Sequence, residues 1–348
     1  MNKISQVDKN FSVETSIQKE DIKFYNIDDE PFKIYGIFKE GGKYRRMPES
    51  VAKTVSDGVY YLHSNTSGGR VRFKTDSKYI AINSVMENLG KMPHFTFAGS
   101  IGFDLYADNV YIRSYVPPID VEDGYEGIIE FEDRELRDII INFPLYSDVK
   151  NLYIGLEESA QVKPGDFYKN EKPVVYYGNS ITQGGCASRA GMSYPGQISR
   201  ALDIDFVNLG FSGNAKGEVE IAEYIKDLPM SMLIYDYDHN APTLEHLLNT
   251  HERMFKIIRE ANPDLPIIMM NRPRYYLDAD SVARYELIKT NYENALKSGD
   301  KNVYFVDNKA LTKICKKEGT VDMNHPTDFG FYSIAQALIE VMKDISVK

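Results

Sequence analysis

The alternation of apolar and polar side chains changes period near residue 165. Before that point lie short β-rich runs: RVRF at 70–73, KYIAI at 78–82, NVYIRSYV at 109–116, GIIEF at 127–131, DIIINF at 138–143 and NLYIGL at 151–156. Several alternate apolar with polar, the period of a strand with one face buried and one wet. NTSGG at 65–69, the Pro117 and Pro118 pair, and Asp123 with Gly124 supply turn chemistry between them. No amphipathic stretch longer than about three helical turns interrupts this half. Many short strands at this spacing predict an antiparallel sandwich or jelly roll.

After Pro164 and Gly165 strands and helices alternate. VVYY (174–177), DFVNL (205–209), MLIYD (232–236), PIIMM (266–270) and VYFVD (303–307) read as buried strands. Between and after them, helices are predicted at 194–202, at 218–226, and beyond a Thr243 cap, where Leu247, His251, Met254, Phe255 and Ile258 share one face. Tyr285, Ile288, Tyr292 and Leu296 mark another helix, and residues 331–342 a closing one. Five strand–helix repeats predict a parallel sheet with helices on both faces. The expected organisation is a β-sandwich unit at 1–165 followed by an α/β unit at 166–348. Such a length, 348 residues, also exceeds the roughly 150 of one ordinary domain.

Fifty-one acidic residues against 41 basic ones give a net charge of −10. A chain of that sign without a basic block is a poor partner for nucleic acid or an anionic membrane. Cys186 and Cys315 form no C-x-x-C pair, which argues against a disulfide framework or a cysteine zinc site. Residues 1–20 lack the apolar segment of a signal peptide, and no run approaches the roughly 18 apolar residues of a membrane span. A soluble, cytoplasmic protein is expected, with self-association left open.

In parallel sheets the chemistry collects at the carboxyl ends of the strands. The loops there read Gly178-Asn179-Ser180-Ile181-Thr182, Gly210-Phe211-Ser212-Gly213-Asn214, Asp238-His239-Asn240, Asn271-Arg272 and Asp322-Met323-Asn324-His325-Pro326. Acyl transfer needs a hydroxyl, a base to take its proton, a third group to orient the base, and N–H donors aimed at the developing oxyanion. Of six histidines, His63 and His94 fall in the β-rich half and His246 and His251 on the long helix. His251 continues that helix's apolar face, and Phe255 occupies the second histidine position of an H-E-x-x-H motif, so a zinc-protease reading fails. His239 and His325 remain. His325, with Asp322 three residues before it, is the better base. Asp236, Asp238 and His239 could suit a divalent ion, but side chains that alternate along a strand end lack a common focus, and no metal or cofactor is expected.

These residues resemble the blocks of the SGNH (GDSL-type) hydrolases. Gly178-Asn179-Ser180-Ile181-Thr182 is similar to the first block, with Asn where Asp is more usual. Gly213 matches the second block, Asn240 the third and Asp322-x-x-His325 the last. The third block departs from the common G-x-N-D form. Gly102-Phe103-Asp104-Leu105-Tyr106 resembles the G-x-D-L-Y signature of a β-domain that precedes one bacterial subgroup. The resemblance implies a three-layer α/β/α fold with a five-stranded parallel sheet. Ser180 would be the nucleophile, His325 the base and Asp322 its orienting acid, with Ser180, Gly213 and Asn240 forming the oxyanion hole. No G-x-S-x-G elbow of the ordinary α/β-hydrolase kind occurs.

Residues 102–106 read most simply as a strand-end turn packed on the second unit. Asp104, Tyr106, Arg189 and Arg272 are candidate substrate contacts, and Cys186 is either a pocket residue or a small buried hydrophobe. The implied activity is removal of acyl groups, chiefly acetyl, from mono- or oligosaccharides. The alternatives are a short-chain lipid or general carboxylesterase, and a non-catalytic sugar-binding protein with a vestigial triad.

Overall fold

The structure is a computed structural model describing residues 13–170 and 172–346; residues 1–12 of the first predicted unit lie outside the described residues. The β-rich half holds β1 (Ile22–Asn26), β2 (Lys33–Tyr35), β3 (Phe38–Glu40), β4 (Lys43–Arg45), β5 (Arg70–Thr75), β6 (Tyr79–Glu87) and β7 (Phe103–Ala107). β8 (Val110–Tyr115), β9 (Gly124–Glu130), β10 (Arg137–Asn142), β11 (Asp148–Glu157) and β12 (Val162–Pro164) follow. One antiparallel sheet runs β1-β11-β6-β9 and a second β12-β5-β10-β7-β8, with β2 also paired to β5. Alternation puts Ile80, Ile82, Leu152 and Ile154 of the first sheet into one core with Phe103, Leu105, Ile139 and Ile141 of the second. This is the antiparallel β-rich unit that the sequence pattern predicts.

Residues 102–106 correct one expectation. They are not a strand-end turn, because Phe103–Ala107 is a strand between β10 and β8, buried along its whole length. An acid there broke the apolar run in the sequence. The strand tolerates Asp104 because its carboxylate is fully bonded. It accepts from Asn142 Nδ2 at 2.7 Å, from the Gly191 N–H at 2.7 Å and from the Arg189 guanidinium at 3.0 Å.

The second half forms β13 (Val174–Gly178), β14 (Phe206–Gly210), β15 (Met232–Asp236), β16 (Ile267–Met270) and β17 (Val303–Val306), all parallel, in the order β14-β13-β15-β16-β17. Strands buried on both faces carry continuous apolar runs. Tyr177, Leu209, Tyr235 and Met269 meet the helices Val219–Lys226, Leu244–Ala261 and Ala279–Lys297. Tyr176, Phe206, Ile234 and Ile268 meet Tyr194–Leu202 and Asp328–Ser346. Thr243 caps its helix by accepting from His246 N at 3.0 Å.

Two helices in the first half, Glu49–Val55 and Asp57–Leu62, are too short to announce themselves by periodicity. Their Ala52, Val59 and Leu62 join the core beneath Ile221 and Ile225, so the first half helps to cover the parallel sheet. Burying a side chain of the Val or Leu kind is worth about 1.5–3 kcal/mol. Among the described residues no helix is long and apolar enough to cross a membrane.

Asp104 is fully buried, and its partners Arg189 and Gly191 belong to the segment between β13 and β14. Removing one member of a buried ion pair leaves an uncompensated charge and costs about 3–5 kcal/mol. Asp104→Ala is therefore expected to lower the unfolding free energy by about that much in urea titrations. A loss below about 1 kcal/mol would mean that the fold does not depend on this pair.

Candidate active site

The strand order reverses at β13, which lies between β14 and β15, and a crevice opens at the carboxyl ends there. Gly178 pairs in register with Gly210 on one side and Asp236 on the other, so the three following loops start at one level. Both glycines are required by close approach. A Cβ on Gly178 would overlap Thr182 Oγ1 and the Asp236 carbonyl, and one on Gly210 would overlap the Gln183 backbone.

The chain turns from β13 into the one-turn helix Ser180–Gln183. A serine after a strand commonly caps the helix, but here Asn179 does so: its Oδ1 accepts from the Ile181 N–H at 2.7 Å. The Ser180 hydroxyl is left for other work. Asn179 Nδ2 also donates to Asp236, at 3.2 Å to both its carbonyl and its Oδ1. Burial, together with the neighbouring Asp238 charge, raises the Asp236 carboxyl to about 8. An aspartate at 179 could not donate to Asp236 and would add a third acid to this buried cluster. That explains why Asn stands before Ser180 in this chain.

Ser180 Oγ lies 3.1 Å from His325 Nε2, and His325 Nδ1 lies 2.7 Å from Asp322 Oδ2. The other Asp322 oxygen accepts from the backbone N–H of Asn324 at 3.0 Å and of His325 at 2.7 Å. Partial burial acts to raise the Asp322 carboxyl, but the hydrogen bonds from His325 and Asn324 outweigh it and hold it at about 2. A bond from Val321 N to the His325 carbonyl at 2.8 Å and a bridge between Thr320 and Pro326 close this loop. The structure thus brings Ser180, Asp322 and His325 into one chain of hydrogen bonds.

Gly213 has a φ of 71°, and an added Cβ would meet nothing within 4 Å, so its side faces open space. The N–H groups of Ser180 and Gly213 have no acceptor among the described residues. Asn240 Nδ2 donates one hydrogen to the Phe211 carbonyl at 2.9 Å and has a second to give. These are the three donors that the resemblance assigns to an oxyanion hole, and they border the same strand-end crevice.

The four candidate substrate contacts are elsewhere. Asp104 and Tyr106 are buried on β7, and Arg189 bonds both of them while lying over the Tyr111 ring, 3.7 Å from its centroid. Arg272 is buried and spends its guanidinium on Asp238 Oδ2 at 3.1 Å, the Asp238 carbonyl at 3.2 Å and Ser281 Oγ at 3.3 Å. In this structure the polar end of each is bonded to the protein, Asp104, Tyr106 and Arg272 being buried and Arg189 half-buried. The two acids have separate partners, Asp236 turning to Asn179 and Thr182 and Asp238 to Arg272; β15 ends at Asp236, so the loop that follows, not strand alternation, parts them. His239 is pushed well below the usual imidazole range by burial and by the charges of Arg272 and Arg274. His251 is a packed core residue between Tyr235 and Tyr237, held at about 3 by burial.

Three neighbours of Ser180 carry no local sequence signal. Tyr146 donates from its hydroxyl to the Ser180 carbonyl at 3.2 Å. Gln183, fully buried, accepts the Ser212 N–H on Oε1 at 3.0 Å and donates to Asn65 Oδ1 at 3.1 Å and the Leu145 carbonyl at 3.2 Å. The His94 ring, set aside by its position in the β-rich half, lies 5.6 Å from that of His325. Cys186 is buried nearby, and burial, with the Asp322 charge adding, pushes its thiol up to about 11, so it is no rival nucleophile. A cavity of about 400 Å³ lined by Tyr61, Asn65, Met92, Tyr146, Ser212 and Asn214 flanks the Gly213 turn. A second, of about 500 Å³, lies behind the Asp322 loop, with Tyr275 and Tyr276 in its wall.

The family of GDSL-like lipases/acylhydrolases matches residues 171–343, and the GxDLY N-terminus of SGNH-hydrolase-type esterases matches residues 22–162. A crystal structure from Bacteroides ovatus, provisionally named a GDSL-like lipase, is 27% identical, covers 93% of this chain and 98% of its own, and has a TM-score of 0.83. A salicylyl-acyltransferase from a tetracycline biosynthetic pathway is similar over 95% and 99% of the two chains, at 19% identity and a TM-score of 0.75. A family two carbohydrate esterase from Clostridium thermocellum, in complex with cellohexaose, is similar over 90% and 98% at 12% identity and a TM-score of 0.60. Among curated proteins none matches the chain. The two matched segments, in this order and on this fold, show that the chain belongs to the GDSL-like (SGNH) family of acyl-ester hydrolases and carries the GxDLY N-terminal unit of its esterases.

Proposed function

We propose that the protein is a serine esterase that removes acyl groups, acetyl foremost, from carbohydrate through an acyl-enzyme. The observation that carries this reading is the Ser180–His325–Asp322 chain, at 3.1 and 2.7 Å, beside two N–H groups with no acceptor among the described residues. In this mechanism Ser180 Oγ attacks the ester carbonyl while His325 Nε2 takes its proton. Asp322 holds the imidazole in the tautomer with Nδ1 protonated and stabilises the imidazolium. The oxyanion is met by the Ser180 and Gly213 N–H groups and the free amide hydrogen of Asn240, each donor worth about 3 kcal/mol. His325 returns the proton to the departing sugar hydroxyl, and water repeats the sequence on the acyl-enzyme. The vestigial binding-protein reading loses ground because every polar atom of this relay is within bonding distance.

The cavity beside the Gly213 turn favours a sugar as leaving group. It combines polar side chains, Lys91, Ser212 and Asn214, with the broad ring of Tyr61, which is 65% exposed. Polar side chains and an open aromatic face suit a polyol that offers hydroxyls and C–H patches together. The carbohydrate esterase crystallised with cellohexaose, and an acetyl xylan esterase from Butyrivibrio proteoclasticus of TM-score 0.59, support the substrate class through a shared fold.

Ser180→Ala should lower kcat/KM on p-nitrophenyl acetate by about 10³-fold or more while leaving the melting temperature unchanged. His325→Ala should match it and His239→Ala should cost far less; the reverse ranking would reassign the base.

The Asp322 carboxyl is depressed, so its bond to His325 is complete above the ordinary carboxylate range near 4 and is lost only as pH falls toward 2. The acid limb of the rate profile therefore does not come from Asp322. Asp322→Asn should reduce kcat by about 10³–10⁴-fold and move that limb to lower pH, since the imidazolium loses its anion. An unmoved limb, measured from pH 4 to 9, would count against an Asp322–His325 couple.

Tyr61→Ala should raise KM for acetylated oligosaccharides by about fivefold, a stacking contribution near 1 kcal/mol, and leave KM for p-nitrophenyl acetate unchanged. Equal effects on both substrates would favour a general short-chain carboxylesterase. Deacetylation followed by NMR identifies the sugar position released.

A further inference from the structure

Three donors that coordinate soft cations gather at the catalytic base. One ligand atom each from His94, Cys186 and His325 lies within 4.8 Å of the other two, and among the described residues no other three His, Cys, Asp or Glu side chains do so. They come from three separate segments: the loop after β6, the turn beyond Ser180 and the loop before the last helix. We propose that they form an inhibitory site for a thiophilic divalent cation, zinc above all, which stops the esterase by taking the imidazole lone pair that Ser180 needs. The binding half stands on geometry alone; the inhibitory half rests on His325 being the general base.

The donor set decides the cation. Two imidazoles and a thiolate suit zinc and its soft neighbours, whereas magnesium and calcium take oxygen ligands. A tetrahedral zinc with Zn–N near 2.0 Å and Zn–S near 2.3 Å needs its ligand atoms roughly 3.3–3.6 Å apart. The present spacing must contract by little more than about 1 Å, within reach of side-chain rotation. His94 is exposed and can supply much of that movement. Cys186 and His325 are already held by the packed turn and by Asp322.

His325 brings its own orienting partner. Its Nδ1 is bonded to Asp322 at 2.7 Å, which leaves Nε2 as the lone pair open to a cation. A carboxylate behind a ligating histidine is the arrangement that fixes its ring and strengthens its binding. The same Nε2 lies 3.1 Å from Ser180 Oγ, so a bound cation and the serine proton compete for one atom. The chemistry balances simply: the cation gains bonds from two imidazole nitrogens and one sulfur, and the Cys186 thiol gives its proton to solvent. A water completes the fourth position. Nothing is oxidised or reduced.

The site also spans the two halves of the chain, because His94 belongs to the β-rich half and the other two to the α/β half. A cation there would tie the halves together and close the wall of the crevice over the nucleophile. Bound metal should therefore raise the melting temperature as well as stop turnover.

The test is a titration of p-nitrophenyl acetate hydrolysis with buffered zinc chloride on the wild type, His94→Gln and Cys186→Ser, each rate taken relative to that variant's own metal-free rate. Zinc should inhibit the wild type, EDTA should restore it, and magnesium should do nothing. Each substitution should raise the half-inhibitory zinc concentration by about tenfold or more, the scale on which even outer-shell changes weaken metal sites. Cobalt(II) supplies a readout independent of activity, since a thiolate–cobalt charge-transfer band should appear in the near ultraviolet with the wild type and be missing with Cys186→Ser. His94 is exposed, so His94→Gln keeps the test open if the cysteine variant folds poorly. No inhibition, or inhibition unaltered in His94→Gln, would overturn the site. A cobalt band without loss of turnover would overturn its inhibitory role, while the assignment of His325 as base is decided separately by His325→Ala.

Discussion

Backbone groups at the strand ends must be bonded before a crevice there can hold chemistry, and in this protein a single buried side chain does much of that bonding. Gln183 closes the one-turn helix that begins at Ser180. Its amide oxygen holds the Ser212 N–H, its amide nitrogen reaches Asn65 and the Leu145 carbonyl, and its own carbonyl accepts from Ser67 Oγ at 2.6 Å. Four valences of one residue fix the nucleophile turn, the glycine turn that faces it and the β-rich half against each other. A buried amide satisfied in every direction is rigid for the same reason that a partly satisfied one is costly.

That tie explains why the β-rich half is part of the site rather than an appendage. Arg46, fully buried, donates to the carbonyls of Gly210 and Asn208 at 2.6 and 3.0 Å and so finishes β14 just before the Gly213 turn. Tyr146 holds the Ser180 carbonyl, and Thr96 Oγ1 donates to the Ser188 carbonyl at 2.6 Å. Asp104 clamps Arg189 and Gly191 further along the same segment. Each bond goes to backbone or to a side chain that shapes a loop, which is how one unit can set the precision of another without entering the reaction.

Electrostatics at the crevice follow from which acids are buried and which are not. Asp236 and Asp238 lie beneath the crevice, fully buried, and burial raises both carboxyls. Asn179 and Arg272 answer them with donors rather than with further negative charge. Asp322, on an exposed loop with three N–H donors, is lowered instead. Asp322 is thus held as a carboxylate at neutral pH, and it lies behind the histidine, where an imidazolium can use it.

The sequence by itself determined whatever is local or periodic. The change of period at residue 165, the five buried parallel strands and the amphipathic faces of the long helices follow from side-chain spacing. Ser180 and the Asp322–His325 pair could be singled out from strand-end position, a three-residue spacing and the resemblance of the four blocks, and the fold places their side chains within hydrogen-bond distance. Helices of six or seven residues were not, since they complete too few turns to show a period. β7 was misread because Asp104 interrupts its apolar run, and only its partners on β10 and in the segment after β13 explain a buried acid there. Asp104, Tyr106, Arg189 and Arg272 looked like substrate contacts because sequence shows that a residue is polar but not what already bonds it. Tyr146, Gln183 and His94 were invisible for the converse reason. Their role lies in contacts across 29 to more than 200 positions of chain, and such contacts exist only in the folded protein, most of them only where its two halves pack.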